Sequence, residues 1–106
     1  MIGKLGYSIP GVWAPTGAET AKQLAGPCEI SSIKLAAGGS AAFVKIYDSV
    51  GSADSSSLKW VLDASSQTVD SHDFPYPMNF EKGVYAVCEQ GAAFTPFVCI
   101  AKVTPR

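Results

Sequence analysis

With 106 residues, the chain has room for one domain and little more. Charged residues make up 16%, well below the usual level of about 25%, and the formal net charge is −1. Eight basic residues scattered singly among nine acidic ones give no stripe able to follow a nucleic-acid backbone. No apolar run approaches the ~20 residues that span a bilayer, and Met1-Ile2-Gly3-Lys4-Leu5 lacks the apolar core of a signal peptide. The expectation is therefore a chain made in the cytoplasm that binds neither nucleic acid nor membrane. Its sparse charge leaves surface for protein partners to cover.

Residues 1–20 read as an irregular arm. Gly3, Gly6, Pro10, Gly11, Pro15 and Gly17 punctuate them too densely for a helix or a central strand. Yet Ile2, Leu5, Tyr7, Ile9, Val12 and Trp13 are more apolar than a disordered tail would be. Such a segment must bury itself on its own domain or on a neighbouring subunit. These six residues are the candidate partner-binding set, with Trp13 the foremost because large aromatics dominate interface energetics.

Residues 21–106 form the predicted folded domain, with period-two patterning broken by turns about every ten residues. A first strand over Lys22 to Ala25 stops at Gly26-Pro27. A second runs from Cys28 to Ala36, where Cys28 and Ile30 share one phase and Ile33 and Leu35 the other, so a bulge is expected at Ser31-Ser32. After the turn Ala37-Gly38-Gly39-Ser40, Ala42, Val44 and Ile46 share a face opposite Phe43, Lys45 and Tyr47. Residues 48–57, which hold Gly51 and five Ser, predict a mobile loop. Leu58, Trp60 and Leu62 then alternate with Lys59, Val61 and Asp63, which places Trp60 in the core.

Thr68 to Phe74 can form a strand, and Pro75 and Pro77 confine the next stretch to an edge or a crossover. Lys82-Gly83 reads as a turn before a strand from Val84 to Glu89, and Phe97 to Val103 closes the chain. Seven or eight short strands predict an all-β fold, a single antiparallel sandwich. If the last two strands form a hairpin centred near Ala93-Phe94, Cys88 and Cys99 stand opposite each other and can form a disulfide. Otherwise Cys28, Cys88 and Cys99, an odd count without CxxC spacing, are small buried hydrophobes rather than a zinc site.

Few residues suggest chemistry. Asp48, where a strand meets a loop, suits a turn cap that accepts backbone N–H groups. Asp70, His72 and Asp73 form the one His-containing cluster, but on a strand Asp73 faces away from the other two, which speaks against a metal site and against acid–base work. Ser71-His72-Asp73 is no triad, because adjacent side chains on a strand diverge. Glu29, Glu81 and Glu89 are isolated, and neither GxxxxGK[ST] nor GxGxxG occurs. No catalytic, cofactor-binding or metal-binding residues are assigned.

The strings Cys28-Glu29-Ile30-Ser31-Ser32-Ile33-Lys34-Leu35, Val44-Lys45-Ile46-Tyr47-Asp48 and Phe74-Pro75-Tyr76-Pro77-Met78-Asn79-Phe80-Glu81-Lys82-Gly83-Val84-Tyr85 resemble a group of small all-β proteins of tailed bacteriophages. In that group a strand ending in YD precedes a Gly/Ser loop and an FP…P…F…KG[LV]Y segment. The likeness spans Gly26 to Val103. It implies a jelly-roll-like sandwich acting without catalysis as a virion component, most simply a capsid decoration or cement protein on the capsid surface. The implied partners are the major capsid protein or another virion protein and further copies of the chain, with a trimer favoured. The alternative is a tail or head-fibre module that recognises a host receptor or carbohydrate through residues 48–57 and 90–96.

Overall fold

The computed structural model describes residues 9–15, 20–88 and 96–105. Its eight strands, in chain order, are β1 (Ile9–Trp13), β2 (Ala21–Ala25), β3 (Cys28–Ala37), β4 (Ala42–Asp48), β5 (Leu58–Ala64), β6 (Val69–Phe80), β7 (Val84–Cys88) and β8 (Phe97–Pro105). One 3₁₀ turn, Ser55–Ser57, precedes β5 and is capped by the Asp54 carboxylate, which accepts the Ser56 N–H. Among the described residues, no helix is long and apolar enough to cross a membrane.

The strands form two four-stranded sheets, ordered β1-β8-β3-β6 and β2-β7-β4-β5. Every pairing is antiparallel. The pairs β1·β8, β2·β7, β3·β6 and β4·β5 are those of one long hairpin, closed at β4–β5 and rolled so that successive pairs fall in alternate sheets. This is the eight-stranded jelly roll. Its physical basis is the alternation in each strand. Val44, Ile46, Leu62, Val84 and Ala86 from one sheet meet Ile30, Ile33, Leu35, Phe80, Cys99 and Ala101 from the other, all buried.

The bulge expected at Ser31-Ser32 is present. The β3 register slips between Ile30 and Ser32 against both β6 and β8, which lets Ile30 and Ile33 both face inward despite their odd spacing. The effect on β6 is larger. Asp73 pairs with Ser32 and Met78 with Ile30, so residues 74–77 stand opposite Ser31 alone. Pro75 and Pro77 sit in this protrusion on an edge strand, where their missing N–H groups break no ladder.

Three expectations are corrected. The irregular arm becomes regular at Ile9–Trp13, because an edge strand bonded only to β8 tolerates Pro10 and Gly11. The last two strands are not a hairpin: β7 and β8 lie in different sheets, with Cys88 beside Val44 and Cys99 beside Leu35 and Trp13. All three cysteines are buried thiols. Finally, the face shared by Leu58, Trp60 and Leu62 is buried only in part. Leu62 is fully covered, Trp60 is half-buried between the edge strands, and Leu58 is exposed beyond the register shift at Ile46/Tyr47.

Candidate interaction surfaces

Only part of the candidate partner-binding set is available to a partner. Trp13 is 1% exposed and packs edge-to-face on Phe97, ring centroids 5.0 Å apart, so it belongs to this domain's own core. Val12, the next residue back, points the other way and is 45% exposed; Ile9, at the start of β1, is also exposed. Ile2, Leu5 and Tyr7 lie outside the described residues, as does Phe94.

Val12 belongs to the outer face of the β1-β8-β3-β6 sheet. Cross-strand pairing sets Pro10, Lys102, Ser32 and Asp73 in one row, Val12, Ile100, Lys34 and Ser71 in the next, and Val98, Ala36 and Val69 in a third. One half of this face is apolar. Val69 and Val98 are exposed there, beside an open depression of about 400 Å³ lined by Ala14, Pro15, Ala36, Pro96 and Val98 among others. The other half is a mixed groove of about 340 Å³, whose walls include Pro10 and Ile100 and whose polar groups include Lys34, Lys102 and Asp73.

The chemistry of a turn, rather than a reaction, occupies Asp48. Its Oδ1 accepts the backbone N–H of Lys82 at 2.8 Å and of Gly83 at 3.3 Å, and its Oδ2 accepts that of Glu81 at 3.1 Å. Partial burial pushes this carboxyl up, but the N–H groups of Lys82, Glu81 and Gly83 and the Lys59 ammonium outweigh it and hold the group below the usual carboxylate value. Asp48 therefore fastens the end of β4 to the β6–β7 turn, the capping role expected of it.

Residues 48–57 are better tethered than a mobile loop. The Gln23 amide donates to the carbonyls of Ala25 (3.0 Å) and Ser49 (2.9 Å), and its Oε1 accepts the Gly51 N–H at 2.9 Å. Ser49 is buried, donates its N–H to the Gly83 carbonyl and accepts the Ser52 N–H on its hydroxyl. Backbone groups that a Gly/Ser-rich sequence leaves unpaired thus find partners on β2 and the β6–β7 turn.

The histidine cluster closes the open side of the sandwich. His72 Nε2 lies 2.7 Å from Asp70 Oδ1, while Asp70 Oδ2 accepts the backbone N–H of Asp63 at 2.9 Å across the gap between the sheets. That N–H belongs to an edge strand, and the carboxylate covers it. The Trp60 ring meets His72 and Phe74 edge-on, each at 5.1 Å between centroids. Asp73 faces the outer groove instead, as the strand alternation requires. Among the described residues, no group of three or more His, Cys, Asp or Glu is placed to hold a metal ion.

Sequence reasoning missed Tyr76. It is 90% exposed, at the protrusion of β6 and between two prolines. The signal was present in Pro75-Tyr76-Pro77: proline on both sides of an aromatic keeps it out of a ladder and fixes the backbone that carries it.

The geometry defines an eight-stranded jelly roll whose tethered loops and capped turns stiffen a scaffold and whose outer sheet face is partly apolar. No protein-family model matches the chain, and no curated protein matches it significantly.

Proposed function

We propose that this chain is a non-enzymatic structural protein of a bacteriophage virion, a capsid decoration or cement protein that stabilises the shell by binding neighbouring capsid subunits. The observation that carries the reading is the apolar half of the outer β1-β8-β3-β6 face, where Val69 and Val98 stand exposed in one cross-strand row. Apolar area removed from water there contributes about 25 cal/mol per Å² before the costs of association. The likeness of Val44 to Asp48 and Phe80 to Tyr85 to phage sandwich proteins supports the virion setting. The recognition alternative calls for aromatic side chains on the presenting loops, and the sequences of residues 48–57 and 90–96 offer Phe94 alone. Assembly is therefore the preferred reading.

The test is co-sedimentation with empty capsids. Val69→Asp with Val98→Asp should abolish binding while the fold, followed by circular dichroism, is kept. Removal of residues 1–8 measures what Ile2, Leu5 and Tyr7 add. Full binding by the double variant would overturn the proposed face.

A further inference from the structure

Tyr76 is an aromatic knob on a stiff mount. Its 90% exposure would be costly to exploit if the backbone were loose, but the protrusion is pinned at Asp73↔Ser32 and at Met78↔Ile30, and Pro75 and Pro77 fix φ on either side of the tyrosine. A tyrosine held in this way presents a large contact area with little ordering left to lose on binding.

The same edge also carries the rim of a receptor for it. The 340 Å³ groove on the outer sheet face runs up to Ser71 and Asp73 of β6. Pro10 and Ile100 offer apolar walls for a ring, Lys34 and Lys102 offer cations to lie against its face, and the Asp73 carboxylate offers an acceptor for a phenol hydroxyl. Knob and rim are three residues apart on one edge strand. A two-fold axis passing beside β6 between Phe74 and Pro75 sets residue 76 of each copy against residue 73 of the other, the reciprocity an isologous contact demands. Neither proline has an N–H, so the edges meet through side chains rather than by extending the sheet.

We propose that the chain self-associates as a two-fold dimer in which Tyr76 of each copy enters the groove beside Asp73 of the other. This contact uses the groove half of the face and leaves Val69 and Val98, in the row beyond it, uncovered. It therefore stands or falls independently of the capsid-binding reading, and it departs from the trimer that the phage resemblance implies.

Sedimentation velocity and native mass measurement on the full chain, from about 1 μM to about 1 mM, test it. The expected result is a reversible dimer. Tyr76→Ala should raise its Kd by about tenfold or more, Ser71→Trp should do the same by filling the groove from the β6 side, and Val98→Asp should leave it unchanged. Both interface changes fall on exposed side chains, and an unaltered thermal transition shows that the fold is intact. A monomer throughout, a trimer, or a dimer indifferent to Tyr76→Ala and Ser71→Trp would overturn the proposal.

Discussion

Asp48 Oδ1 accepts the backbone N–H of Lys82 at 2.8 Å, which ties the last residue of β4 to the turn between β6 and β7 across 34 positions of sequence. The Tyr47-Asp48 and Lys82-Gly83 signals are thus two halves of one device. Replacing Asp48 with Ala removes an ionised acceptor from three N–H groups and should lower unfolding stability by about 1–2 kcal/mol, with Asn intermediate. Urea denaturation of the two variants beside the parent measures this.

The same contact makes stability depend on acidity. The native Asp48 pKa is depressed, because three backbone donors and Lys59 outweigh partial burial. A carboxyl with a depressed native pKa contributes stability that is complete above its unfolded value, about 3.9, and is lost as pH falls through the native value. The Tm gap between parent and Asp48→Asn should be constant from about pH 5 to 7 and close below about pH 4. A gap unchanged down to about pH 2 would mean that the carboxylate charge is irrelevant.

Gly83 is held by space. A Cβ there would lie 2.8 Å from the Ala25 carbonyl oxygen, 2.8 Å from Gln23 Nε2 and 3.1 Å from the Ser49 carbonyl oxygen. Gly83→Ala should therefore displace the Gln23 amide and loosen the 48–57 segment, costing roughly 1–3 kcal/mol. Amide hydrogen exchange at Gly51 and Ser52 should rise in this variant before exchange in the β3–β8 ladder does.

Adjacent residues of β1 should behave in opposite ways. Trp13→Ala empties a core site against Phe97 and should cost about 3–5 kcal/mol, whereas Val12→Ala should stay within about 0.5 kcal/mol. Truncation before Ile9 should leave the thermal transition in place, and truncation through Trp13 should remove it. Scanning calorimetry distinguishes the two.

Burial, with a smaller contribution from nearby Cys88, pushes the Cys99 thiol up to about 12. It is almost wholly protonated at neutral pH and shielded from reagents, so it should not react with an aromatic disulfide reagent in the native state. Reaction should appear in urea with the unfolding transition. Rapid native labelling of Cys99, located by mass spectrometry, would contradict its burial between the sheets.

The features legible in the chain before folding were local. The slip between Ile30 and Ile33 announced a bulge because side-chain direction alternates with period two, and an odd spacing of buried residues must be absorbed somewhere. Asp48 was legible as a cap because a short carboxylate at a strand end has few other uses. The prolines after Phe74 implied an edge or a crossover for the same kind of reason: a missing donor is a property of the residue itself.

Features that depend on which strand lies beside which were hidden. Alternation shows that Cys88 and Cys99 each face a core. It does not show whether their strands are neighbours in one sheet or opposed across two, and the sheets proved to be different. Trp13 looked like an arm residue because Pro10 and Gly11 argue against a strand, and only pairing with β8 at an edge resolves that conflict. Tyr76 was not singled out between its prolines, and the extent of its exposure comes from a four-against-one mismatch with β3 that depends on the pairing of two strands. The all-β class, the strand phases and the caps were thus written into the chain itself, because steric and hydrogen-bonding rules set them within a few residues. The rolled pairing, the burial of Trp13 and the surface left for partners arose only on folding, because they rest on contacts between segments far apart in the chain.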